Sequence, residues 1–294
     1  MLSFENVAAT GHNTSLSAPL MLTRAETNNW TLHLKEKSFI SAFREAGYKT
    51  YWISNSAAKG TFSVDVHAND SEEVIYLRKN NNRHGNFDFE IKEKLKSILQ
   101  TDKSQKIFCV LHSIGSHWRY DNSYPIQFNK FYPLTTDIYT SQFNTVHTEA
   151  INNGYDNSIL YADYFIGNTI KLLKEKNVSS FVFYVSDHGE HLYNDNKGLV
   201  GHIQPTEETI HVPLFIWTSA LYDNCLPNKR KTLENHLKSK LSIINVFHTI
   251  IDMAQLSYPE ENLSKSFASP NFIEMERFIL INNFDVPINL NKIY

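Results

Sequence analysis

Five uncharged residues, Phe181-Val-Phe-Tyr-Val185, run directly into Ser186-Asp-His-Gly-Glu190, and this junction constrains the fold more than any other stretch. Bulky and β-branched residues without a charge describe a strand covered on both faces, as in a parallel sheet with helices on each side. Sites in such sheets open beyond the carboxyl ends of the strands. Asp187 and His188 stand at that end, and Gly189 frees the backbone to turn both into one pocket. A carboxylate beside an imidazole suits zinc, with manganese second. The competing reading is a capping aspartate followed by a surface histidine, and so short a motif does not decide between them.

Strand and helix signals alternate between residues 35 and 255, the pattern of a mostly parallel sheet between helical layers. Lys35 to Ala46 sets Phe39, Ala42, Phe43 and Ala46 on one helical stripe, stops at Gly47 and leads into a strand over Tyr48 to Ile53. Asp88 to Gln100 repeats the pattern ahead of a strand over Ile107 to Leu111. Further expectations are a helix capped by Asp156 and running to Leu173, a strand over Val212 to Trp217 whose proline marks a start or an edge, and a helix over Leu241 to Ala254. The aromatic, weakly periodic stretch 119–155 reads as a long insertion over the active-site face. No repeat or linker interrupts the series, so one domain over residues 1–294 is expected.

With 41% hydrophobic residues the chain can bury a large core, and a net charge of -3 with mixed signs supplies no basic field for nucleic acid. No window reaches the roughly 18 to 20 apolar residues of a membrane span, and the opening Met1 to Glu5 lacks a charged region ahead of an apolar one. Read by itself, the chain is expected to be soluble and to carry no export signal. Cys109 lies in an apolar run and reads as a packed thiol, while Cys225 sits in a polar stretch, so neither fixes a redox compartment.

Three further segments carry chemistry. Asn6 to Met21 passes from a short strand through Gly11 into a hydroxyl-rich helix start. There Thr14 either caps the helix, the commoner use, or acts as a nucleophile beside a metal with the helix end holding phosphate oxygens; Ser15 and Ser17 compete for either task. His112 and His117 follow the strand at Ile107, and His202 follows the Asp187 motif. If the strands are neighbours, these rings converge on Asp187 and His188, where they suit the non-bridging oxygens of a phosphoryl group. His112 is the weaker of them, since it fits a structural role at the strand edge, and His12 has no assigned role. Asn55, Ser56 and Lys59 follow another strand end and fit either a phosphate or polar head group, or a helix cap with a solvated lysine.

Asn6 to Met21, the loop 54–60, His112-Ser-Ile-Gly-Ser-His117, Tyr155 to Asp163, Ser186 to Glu190 and Gly201-His202 occur in this order. Together they resemble the catalytic domain of the bacterial lipid A and lipopolysaccharide-core phosphoethanolamine transferases, within the alkaline phosphatase and sulfatase superfamily. The resemblance implies an α/β/α sandwich and makes Thr14 the nucleophile that is loaded with phosphoethanolamine. It makes Asp187 and His188 ligands of a catalytic zinc, and His117 and His202 contacts of the transferred group or ligands of a second zinc. Ser56 and Lys59, with Asn55 beside them, fall where such enzymes contact the donor head group. It further implies a phosphatidylethanolamine donor, a lipopolysaccharide or lipid A acceptor, and work at the periplasmic face of the bacterial inner membrane, reached through a membrane-spanning N-terminal region.

Two departures accompany the resemblance. An acidic zinc ligand on an early strand, and the membrane region before it, belong upstream of Asn6, so the expectation is a sandwich lacking its most N-terminal strand. That makes the chain either a fragment or a shortened product with a weakened zinc site. The disulfide that often spans the nucleophile helix has Thr10 and Leu20 at its positions, which leaves local rigidity to packing. Rival readings are a phosphohydrolase or phosphoglycerol transferase of the same superfamily, or an inactive truncated remnant.

Overall fold

In the computed structural model, residues 1–57, 64–78, 87–138, 147–193, 199–282 and 286–292 are described. In chain order, β1 (Leu2–Phe4), β2 (Val7–Ala8), α1 (Thr14–Leu22) and α2 (Phe39–Glu45) precede β3 (Lys49–Ala57), α3 (Val64–Ala68) and β4 (Glu73–Arg78). They are followed by α4 (Phe89–Thr101), β5 (Ile107–His112), α5 (Thr148–Lys176), β6 (Phe181–Val185), β7 (His191–Leu192), β8 (Val200–Gly201) and α6 (Glu207–Ile210). The chain continues through β9 (Leu214–Thr218), α7 (Ala220–Cys225), α8 (Pro227–Asn235), β10 (Leu241–Ser242), α9 (Asn245–Met253), β11 (Phe278–Ile279) and β12 (Ile288–Asn289).

Two three-stranded sheets form the middle layer. One is parallel, in the order β4-β3-β5; the other is antiparallel, in the order β1-β9-β6. Apolar stripes seat the helices on them. Ser38 starts α2 by accepting a hydrogen bond from the Ile40 amide, and Phe39, Ile40 and Phe43 are buried beneath it. Gly47, at φ +81°, ends that unit in the left-handed region that glycine favours. On the opposite face α4 and α5 bury Ile91, Leu95, Phe165 and Leu172 against Tyr51 and Ile53 of β3. The result is a three-layer α/β/α arrangement with mixed sheets.

Most expected elements form close to their expected bounds, three differ for physical reasons, and one open alternative is decided. The helix expected from Asp156 begins at Thr148, so Asp156 lies within α5; the added turns bury Ala150 and Ile151 against the insertion. The helix expected from Leu241 starts as β10, because the Leu241 and Ile243 amides donate to the Asn6 and Ala8 carbonyls, and only then does α9 begin. Pro213 precedes β9, which is central in its sheet, so the proline marks a start and not an edge. Finally β6, expected to be a fully covered strand in a parallel sheet, pairs antiparallel with β9, and all five of its residues are only partly buried. Its other edge has no strand partner among the described residues, and β5 shares that condition.

Candidate metal centre and active site

The turn after β6 is fixed by backbone bonds to the segment 209–213 and by bonds from its own side chains. The Ser186 amide donates to the Pro213 carbonyl, and the Gly189 amide donates to the Thr209 carbonyl at 2.8 Å. A Cβ on Gly189 would lie 2.0 Å from the Glu208 carbonyl oxygen, so only glycine permits this approach. The Ser186 hydroxyl donates to the His188 carbonyl, and the His188 Nδ1 bonds the Gly189 carbonyl. That bond fixes the tautomer and turns Nε2 inwards.

Thr14 meets this turn from the start of α1. Its Oγ1 is 3.4 Å from His188 Nε2, and His188 Nε2 is 3.8 Å from Asp187 Oδ2. Asn13, not Thr14, caps the helix, since its side chain accepts from the Leu16 amide at 3.1 Å. The Thr14 hydroxyl is therefore spared the capping task. Burial works against ionisation of Asp187, but the adjacent His188 and a hydrogen bond from Thr14 outweigh it and hold the carboxyl below its ordinary value. At positions 10 and 20 the expected packing is present: Leu20 is wholly buried beside Leu16 and Leu280, while Ser17 Oγ donates to the Gly11 carbonyl.

A second group adjoins the first. His188, Glu190 and His202 place one ligand atom each within 4.8 Å of one another. Glu190 is clamped by the Tyr120 hydroxyl at 2.9 Å and by His202 Nδ1 at 2.8 Å. The bond to Glu190 outweighs the effect of burial and raises the His202 pKa above its ordinary value. The His117 and His202 rings lie 5.5 Å apart, and those of His188 and His202 4.4 Å apart. His112 instead ends β5 with its Nδ1 2.8 Å from Ser54 Oγ, in keeping with the structural reading.

The loop after β3 divides. Ser56 lines the same cavity as Thr14 and Asp187. Asn55 is buried and gives its side chain to Asp88 and Arg78, while Asp88 also accepts from the Ile114 and Gly115 amides that lead to His117. Asn55 thus braces the histidine loop. Lys59 lies outside the described residues.

Two residues of the site carried no role in the sequence reading. Glu190 closes the Asp-His-Gly-Glu motif, and its position three residues after Asp187 was a usable signal. His12 is 7% exposed, and its Nδ1 is buried without a hydrogen-bond partner. Burial, then the charges of His188 and His202, lower its pKa. Its nearness to those rings is a tertiary fact with no local signal.

The donor set fits a zinc ion: hydroxyl and carboxylate oxygens with imidazole nitrogen, gathered at a half-buried turn. A model of the sulfatase family matches residues 1–256. The phosphoethanolamine transferase EptC of Escherichia coli strain K12 is 28% identical over 283 residues, 94% of this chain and 48% of that protein. The phosphoethanolamine transferase EptA of Salmonella typhimurium is 30% identical over 270 residues, 86% of this chain and 47% of that protein. The chain spans about half the length of the curated relatives it matches. The zinc complex of the C-terminal periplasmic domain of EcEptC from Escherichia coli superposes with a TM-score of 0.88 at 27% identity, covering 99% of this chain and 82% of that one.

Proposed function

The chain belongs to the sulfatase family, and on that premise we propose that its site transfers phosphoethanolamine from phosphatidylethanolamine to lipid A or the lipopolysaccharide core, with Thr14 loaded and then emptied. The carrying observation is the Thr14 hydroxyl, spared the capping bond and 3.4 Å from His188 Nε2, which is itself 3.8 Å from Asp187 Oδ2. Relatives named as phosphoethanolamine transferases support the reaction, and a relative solved with zinc supports the metal.

Asp187, His188 and Thr14 would hold the catalytic zinc, with Glu190 and His202 beside it. Zinc held there supplies positive charge that acidifies a neighbouring hydroxyl and draws charge from phosphoryl oxygens. Thr14 Oγ1 gives up its proton and attacks phosphorus as the bond to the diacylglycerol oxygen breaks; diacylglycerol leaves as the protonated alcohol. His202, whose pKa the bond to Glu190 raises, offers an N–H to a non-bridging oxygen, with His117 beside it. Ser56 contacts the head group from the cavity wall. A hydroxyl or phosphate oxygen of the acceptor then attacks the loaded threonine, and Thr14 recovers its proton. Both lipids place this work at the periplasmic face of the inner membrane.

Incubation of the zinc-loaded chain with phosphatidylethanolamine vesicles should add one phosphoethanolamine, located on Thr14 by peptide mass spectrometry and absent from Thr14→Ala. An adduct that persists in Thr14→Ala on Ser15 or Ser17 would refute the assignment. Turnover that releases free phosphoethanolamine with no loaded enzyme would favour the hydrolase.

A further inference from the structure

Two histidines away from the active-site cavity share one buried spot. His33 comes from the short helical segment Thr27–Leu34 that follows α1, and His67 from α3. They are 1% and 2% exposed, and their ring centroids lie 5.7 Å apart with the planes at 61°. Both ring nitrogens of His33 and the Nε2 of His67 are buried without a hydrogen-bond partner. The Trp30 ring meets His33 edge-on with centroids 4.4 Å apart, and its own Nε1 is likewise unpartnered. Roughly nine in ten buried polar groups find a partner in native proteins, so four orphaned nitrogens in one cluster call for an occupant.

Spacing decides what fits between the two imidazoles. Taking roughly 1.1 Å from centroid to nitrogen on each ring, a direct hydrogen bond of about 3.0 Å would put the centroids no more than about 5.2 Å apart. Water is the competing occupant, but one molecule bonded to both rings at a tetrahedral angle would hold them about 6.5 Å apart. One metal ion about 2.0 Å from each nitrogen spans about 5.1 Å at a tetrahedral angle and about 6.2 Å when linear. The observed 5.7 Å lies inside that last range and between the other two values. Burial lowers the pKa of both histidines, helped at His33 by the neighbouring ring, so each keeps a free lone pair at neutral pH.

The scarcity of ligands selects the ion. Among the described residues, no third His, Cys, Asp or Glu completes a cluster with this pair. Zinc takes at least about three protein ligands, and calcium and magnesium need about six oxygens or more. Cu(I) accepts two imidazoles alone, and its single charge costs far less to bury between neutral ligands than a divalent charge does. We infer that His33 and His67 form a two-coordinate site for Cu(I), walled by Trp30 and separate from the zinc centre. Neither ring takes part in the proposed transfer.

The test titrates the full zinc-loaded chain with Cu(I), without oxygen, against a chromophoric Cu(I) chelator. One Cu(I) should bind per chain while the zinc is retained, and X-ray absorption should show a shell of two nitrogens. His33→Phe and His67→Phe should each weaken Cu(I) binding by more than the roughly 100-fold that a metal site loses with a group that merely orients a ligand. Asp187→Ala should bind Cu(I) as tightly as the unaltered chain. If the phenylalanine variants do not fold, nitrogen NMR of the unaltered chain decides, since Cu(I) should shift the ring nitrogens of both His33 and His67. Failure to hold Cu(I) against the chelator would overturn the site, as would displacement of the zinc by Cu(I), undiminished binding in either phenylalanine variant, or ring nitrogens that do not move.

Discussion

At the scale of single residues, capping decides how Thr14 is read. The sequence places Asn13, Thr14, Ser15 and Ser17 at one helix start, and each has a side chain able to cap. Only the backbone path shows that Asn13 accepts from Leu16 and leaves Thr14 turned towards His188. Asp187 and His188 were legible because their neighbours on both sides are local: an apolar run before and a glycine after. Glu190 was legible only by its place three residues after Asp187; its role was not, because its partners Tyr120 and His202 are 70 and 12 residues away. Asp187→Ala should leave a well-folded chain that retains no stoichiometric zinc after dialysis; unchanged zinc in metal analysis would remove Asp187 from the ligand set. Glu190→Gln keeps the shape but weakens the hold on His202. It should cost roughly 10- to 100-fold in transfer rate, the usual effect of losing a group that orients a ligand or charged partner.

Among the elements, the insertion over the site depends on α5. Asn157, wholly buried within α5, accepts from the Lys130 and Phe131 amides at 2.8 and 3.0 Å and donates to the Phe131 carbonyl. Asn157→Ala removes the acceptor of the Lys130 and Phe131 amides, both in exposed residues, and should lower stability by roughly 1 to 3 kcal/mol, at about 0.5 to 1.5 kcal/mol for each bond. Denaturant unfolding would measure this, and a loss below about 0.5 kcal/mol would show that the segment does not rely on Asn157. Periodicity reveals helices such as α4 because their apolar stripe faces a sheet. It missed the first two turns of α5 because their partners are the irregular turns of the insertion, and it extended α9 over β10 because Leu241 continues the stripe while its backbone pairs with β2. Tertiary pairing overrides local pattern in both places.

For the whole molecule, buried histidines link stability to pH. His33 is pushed down to about 4 by burial and then by His67, and His248 to about 4 by burial and then by Lys265 and Arg24. Both are neutral in the folded chain, whereas the unfolded chain takes up protons below an ordinary value of about 6.5. Their contribution to stability is therefore complete above about pH 6.5 and is lost as the pH falls towards about 4. Urea midpoints should drop across that window, and His33→Phe should flatten the slope; an unchanged slope would show that His33 does not contribute. The sandwich was legible from alternating strands and helices, but the division of its sheet was not, because no strand announces in its own residues which edge stays unpaired. A consequence also attaches to the 29 residues of α5. Its early turns grip the insertion through Asn157, and its later turns seat Phe165 and Leu172 on the parallel sheet. One residue added between these grips would swing the first about the axis by roughly 100° relative to the second. Lineages that keep the site must therefore keep the count between Asn157 and Phe165 unchanged, even where every side chain between them drifts.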